Sequence, residues 1–133
     1  GSVRLFSVRH EFPSAWAKFK SKVQDQAEIV LLMEEKHYPF WSKGRLEKVS
    51  RLDIFAKTSE CRTVSVEQKN GLENYKLLVE AIQLDKDASL GDLRATTAPF
   101  IGVLKPIGET KLIFDNNASI EDLWLALTWG KEG

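Results

Sequence analysis

The chain reads as a mainly β domain, an antiparallel β-sandwich of jelly-roll-like kind with one or two short helices. Three observations lead to that fold class. Several short runs alternate apolar and polar residues at period two. Turn-forming clusters separate the runs: Lys43-Gly44, Asn70-Gly71, Pro106 with Gly108, and Asp115-Asn116-Asn117. Helix-like patterning is limited to a few short snippets. Many short strands with little helix read as a sandwich.

In chain order, residues 3–9 (VRLFSVR) form the first expected strand. A short helix follows over PSAWAKFK, residues 13–20. Pro13 suits a first helical turn, where its missing N–H has no partner to lose. Trp16, Phe19 and Val23 recur at helical spacing, giving one apolar side that packs on the sandwich. Glu11 stands near that helix's N-terminal dipole. AEIVLLM, residues 27–33, is apolar enough for a buried strand, and EEKHYPFW is at best one helical turn, broken at Pro39. VSRLDIFAK, residues 49–57, puts Leu52, Ile54 and Ala56 on one face and Arg51, Asp53 and Lys57 on the other. CRTVSVEQ, 61–68, alternates weakly, and NYKLLVEAIQL, 74–84, fits strand or helix equally. SLGDL, 89–93, reads as a single turn. TKLIFD, 110–115, and LWLALTW, 123–129, are strong strands. In the last, Leu123, Leu125, Leu127 and Trp129 share one face, which makes Trp129 a core residue and turns Trp124 to the other side.

The length, 133 residues, is that of one domain. A chain of this size buries roughly two-thirds of its unfolded surface without covalent staples, and Cys61 is alone, so no disulfide framework is expected. Gly1-Ser2 reads as a cloning scar, leaving 3–130 as a single sandwich domain excised from a larger protein. With 19 basic and 19 acidic residues the formal charge is zero, which argues against nucleic acid as a partner. No apolar run approaches the ~18 residues of a membrane span, and no stretch has a secretory-signal pattern.

Catalytic patterns are weak. His10 and Glu11 are adjacent but lack a nearby strained nucleophile, so a helix-capping or solvent-facing role is expected, and no catalytic residue is assigned. The two histidines and one cysteine show no zinc spacing. Asp115, Asn116, Asn117, Glu121 and Asp122 are oxygen donors that would suit calcium, but they lack an ordered loop motif and equally suit turns. No cofactor is therefore expected, calcium being the one alternative. Asp53, Asp92, Asp115 and Asp122 would need a set separation to act as a glycosidase pair. GRLEKVS is not a phosphate loop. Aromatic side chains offer more. Trp41, Trp124 and Tyr38 are the candidate binding residues, as a stacking platform for sugar rings, while Trp16, Phe19, Pro13 and Trp129 are expected to be structural.

Three stretches taken in order resemble the C-terminal β-rich domain of Tc toxin A subunits, the insecticidal toxin complex A proteins. FSVRHEFPSAWAKF, 6–19, is similar to a strand followed by an acidic-Phe-Pro-x-x-Trp segment there. EKHYPFWSKGRLEKVSRLDIF, 35–55, resembles the aromatic-Pro-aromatic turn, Gly-Arg step and alternating strand that come next, and ASIEDLWLALTW, 118–129, resembles the closing strand. The resemblance spans 3–129 but leaves 58–110 without a signature. It implies a non-enzymatic docking domain that assembles with the B–C component of the toxin, secreted or cell-surface associated. The alternative is an adhesion module that binds a carbohydrate or a cell-surface receptor. A small hydrolase is the third reading, with no nucleophile–base constellation behind it.

Overall fold

A computed structural model describes residues 2–39, 49–69, 73–98 and 104–129. Among them the alternating runs become strands β1 (Ser2–Ser7), β2 (Asp25–Met33), β3 (Val49–Lys57), β4 (Thr63–Lys69), β5 (Lys76–Gln83), β6 (Asp85–Lys86), β7 (Leu93–Ala98), β8 (Gly108–Asn116) and β9 (Asp122–Trp129). Helices α1 (Val8–Glu11) and α2 (Pro13–Lys20) lie between β1 and β2. Glu35–His37 and Ala88–Leu90 form single 3-10 turns.

Two antiparallel sheets result. Sheet A has the order β1-β9-β3-β7-β6, and sheet B the order β2-β8-β4-β5. Apart from the two-residue β6, eight strands divide four and four between two facing sheets, the strand complement of a jelly roll. The fold class expected from the alternation is the one observed. Register shows why: Leu52 pairs with Leu127 and Ile54 with Leu125 across β3 and β9, so apolar positions of both strands share the inner face. Phe6, Leu52, Ile54 and Leu123 from sheet A meet Ile29, Leu31, Leu112 and Phe114 from sheet B in one continuous core. Burying each such side chain contributes about 1.5–3 kcal/mol.

Helix α2 occupies the residues expected of it, with Pro13 in its first turn. Phe19 is buried against Phe114, ring centroids 5.6 Å apart, and the half-buried Trp16 lies 5.8 Å from Phe19. Val23 does not join them. The helix stops at Lys20, the N–H of Ser21 closes back on the Lys18 carbonyl at 3.3 Å, and Val23 is 69% exposed beyond the stop.

The expected strand at 3–9 ends two residues early, because α1 begins at Val8. The cause is Glu11, whose carboxylate reaches back to the N–H of Ser7 at 2.8 Å and pairs with Arg4. The ambiguous segment 74–84 is strand β5: Val79 and Ile82 pair with Val66 and Val64 of β4. Strand β7 had no alternation to announce it. LRATTA mixes small, polar and apolar residues without a period and is held by its neighbour, with Ile54 of β3 opposite Thr96.

Candidate functional site

The outer face of sheet A gathers polar and aromatic side chains from strands that are distant in sequence. On β3 the outward positions are Arg51, Asp53, Phe55 and Lys57, the parity opposite to the buried Leu52, Ile54 and Ala56. Register sets their neighbours. Phe55 faces Trp124 of β9 on one side and Ala95 of β7 on the other, and Asp53 faces Ala126 and Thr97. Directly opposed residues hold their Cβ atoms about 5 Å apart. Phe55 and Trp124 are therefore cross-strand neighbours, each half-buried, on an otherwise polar face.

Beside that pair lies a depression of about 390 Å³. Arg51, Asp53 and Thr97 line one wall, and Gln83, Asp85 and Asp87 line the other, with Phe55 between them. Its polar groups are pre-set. Arg51 Nε donates to Asp53 Oδ2 at 2.9 Å and Arg51 Nη2 to Asp53 Oδ1 at 2.9 Å, a bidentate fork. Thr97 Oγ1 donates to Asp53 Oδ1 at 2.5 Å. The hydrogen bond to Asp53 and its charge raise the Arg51 pKa further above its ordinary value. Asp87 accepts from Ser89 N at 3.0 Å and Ser89 Oγ at 2.6 Å, and those bonds hold its carboxyl below the usual range. Asp85 and Gln83 are exposed and available to a ligand.

The outer face of sheet B carries exposed apolar side chains, Val30, Leu32 and Leu77, among charged ones. Its outward charges satisfy one another: Lys111 Nζ lies 3.7 Å from Glu28 and 3.8 Å from Glu67, and Lys69 lies 3.3 Å from Glu109. The Tyr75 hydroxyl donates to Glu109, and its ring sits 3.9 Å below Lys111 Nζ.

The binding candidates read from sequence fall in three different places. Trp124 is on the outer face of sheet A, beside the depression. Tyr38 requires a correction: it is 5% exposed, its hydroxyl donates to the Pro106 carbonyl at 2.6 Å, and its ring packs edge-on to Trp129 at 5.2 Å. Burial raises its pKa, and it presents no face to a ligand. Trp41 lies outside the described residues. Trp129 is in the core. Phe55 was missed, although its signal was present: on β3 it is the one aromatic among the charged outward positions Arg51, Asp53 and Lys57.

The catalytic and metal candidates are not assembled into a site. Both Glu11 oxygens are engaged, by Arg4 and by Ser7 N, while His10 is exposed. His37 Nδ1 accepts from Glu34 N at 2.8 Å and its ring stacks on Phe12 at 4.8 Å. Asp115 is bound to Cys61 Sγ at 2.9 Å, and Asp122 accepts from Leu123 N at 3.0 Å. Among the described residues no group of three or more His, Cys, Asp or Glu could hold a metal ion. No helix of the described residues is long and apolar enough to cross a membrane.

No family model matches the chain, and no curated protein matches it. Among solved structures, CpGH89CBM32-6 produced by Clostridium perfringens is similar at 12% identity and a TM-score of 0.48, over 96% of this chain and 94% of that one.

Proposed function

We propose that this domain is a non-catalytic glycan-binding module, secreted or held at a cell surface, whose ligand lies across the outer face of sheet A. The observation that carries the reading is the Phe55–Trp124 pair set beside the Arg51–Asp53–Thr97 cluster. A sugar ring has an apolar C–H face and a rim of hydroxyls. A flat aromatic surface takes the first. A few fixed donors and acceptors take the second and set orientation. Here the carboxylate is locked by two partners before any ligand arrives, so little side-chain freedom is lost on binding. The exposed Gln83 and Asp85 extend the hydrogen-bonding rim across the depression.

The test is titration of the whole chain with a panel of neutral oligosaccharides, read by calorimetry and tryptophan emission. One sugar class should bind and shift the emission. Trp124→Ala and Phe55→Ala should each weaken it by about 30-fold or more, the loss typical of an aromatic anchor at about 2 kcal/mol. Melting temperatures should stay close to that of the parent chain. Binding that survives both substitutions, or no binding to any sugar, overturns the reading.

A protein-docking role, as the toxin resemblance implies, is the second reading. Edge strand β1 favours it: Val3 is 63% and Leu5 55% exposed, next to Thr128 and Ala126 of β9. Exposed apolar side chains on an unpaired edge are a template for another chain. Binding to a toxin B–C component that is lost on Leu5→Lys and indifferent to Phe55→Ala would favour docking.

A further inference from the structure

A second concave site lies at the end of the sandwich where β3 finishes and β7 starts. It is a cleft of about 560 Å³. Lys57, Arg62, Lys86 and Arg94 contribute cations from four separate segments, against two carboxylates, Asp92 and Glu121. The chain as a whole is neutral, so this surplus is local. Glu121 is already paired with Lys57, its Oε2 3.4 Å from Nζ.

We propose that this cleft binds a tetrahedral oxyanion, a sulfate or phosphate group. Two features, both centred on Arg94, point to it. The first is an unmet donor: Arg94 Nη1 donates to the Leu84 carbonyl at 3.2 Å, but its Nε is buried with no hydrogen-bond partner. A buried donor on a permanently charged guanidinium is costly to leave unpaired. The second is a like-charge pair. Lys86 and Arg94 stand directly opposite each other on β6 and β7, an arrangement that destabilises an antiparallel ladder unless an anion sits between them. The remaining cation is held in place: Arg62 Nη1 donates to the Ser59 carbonyl at 3.1 Å, which fixes the guanidinium at the wall and leaves its other N–H groups for a ligand. Donors that converge from four segments suit an acceptor with oxygens in several directions better than a planar carboxylate.

The inference stands apart from the glycan reading, because none of the four cations belongs to the Phe55 depression. Its test is calorimetric titration with sodium sulfate and sodium phosphate, with sodium chloride at equal ionic strength as reference. Sulfate also stabilises proteins by exclusion from their surface, so a raised melting temperature alone does not count. The expected result is a saturable isotherm with one site, weakened at least tenfold in the doubly substituted Arg62→Ala, Lys86→Ala chain and unchanged in Trp124→Ala. The Arg94 Nε–H resonance should move as the ion is added. A sulfated oligosaccharide that binds at least tenfold tighter than its unsulfated counterpart and than inorganic sulfate would identify an ester as the source. Equal affinity for the free ion would identify the ion itself. No saturable heat, or equal affinity in the double variant, overturns the proposal.

Discussion

Asp115 illustrates how a single side chain can look like chemistry and be structure. Its Oδ1 accepts from the Cys61 thiol at 2.9 Å, Arg62 N at 2.9 Å and Thr63 N at 3.1 Å. Burial raises its pKa, but the hydrogen bonds from Cys61 and from the Arg62 and Thr63 amides outweigh burial, and the net direction is down. Burial, followed by the bond to Asp115, pushes the Cys61 thiol up to about 12, so it stays protonated and keeps donating. A depressed carboxyl stabilises the fold above its unfolded value, about 3.9, and that stability is lost as pH falls through the lower folded value. Asp115→Asn should therefore be less stable than the parent at pH 7, and the gap should narrow as pH drops below about 4. Urea unfolding across that range checks it; a constant gap down to pH 2 would show that the charge of Asp115 plays no part. None of these partnerships was legible in the sequence, because residues 61–63 and Asp115 meet only through the pairing of β4 with β8.

Strand β5 shows the limit of periodicity at the level of the element. Its burial does not alternate, because the ladder to β4 slips twice, between Val64 and Val66, where Ala81 sits at φ 48°, and between Val66 and Glu67. Ala81 is not unsupported at its slip: its N donates to Ser65 Oγ at 2.8 Å. A left-handed conformation costs an L-residue with a Cβ about 1–2 kcal/mol, which glycine avoids at some entropic cost. Ala81→Gly should raise stability by about 1 kcal/mol, measured by chemical denaturation with an unchanged slope. A loss of stability would mean that the methyl group packs in a way that outweighs the strain. By contrast β3 and β9 were legible from alternation, because each turns its apolar positions to one face, and β8 was legible as a strong strand. Strand β2 was expected as a buried apolar run, yet it buries one face only, leaving Val30 39% and Leu32 54% exposed. Helix α2 was equally legible, from Pro13 and the spacing of Trp16 and Phe19.

At the scale of the whole molecule, Asn117 joins parts that are far apart in the chain. It is buried, its Oδ1 accepts from Gln24 N at 2.9 Å, and its Nδ2 donates to the carbonyls of Phe19 at 2.6 Å and Lys22 at 2.8 Å. Lys20 Nζ completes the joint on the carbonyls of Asn117 at 3.1 Å and Ile120 at 2.7 Å. The residue that sequence offers as a calcium donor or a turn former is the rivet between α2 and the β8–β9 turn. Asn117→Ala leaves three backbone groups without this partner and should cost about 3 kcal/mol. Far-UV and near-UV circular dichroism should still report one coincident transition; helix loss ahead of the sandwich would show α2 to be an appendage rather than part of the cooperative unit.

The amino-acid sequence by itself determined the fold class, most strand faces, the position of α2 and the outward turn of Trp124, since these depend on period-two and helical spacing within a few residues. The tertiary structure alone decided that Phe55 is Trp124's neighbour, that Thr97 and Arg51 hold Asp53, that Tyr38 is core, and that Lys86 and Arg94 face each other. The physical reason is pairing. A side chain's face follows from its own strand, but its partners follow from register between strands that can lie many tens of residues apart, and only the closed sandwich sets that register.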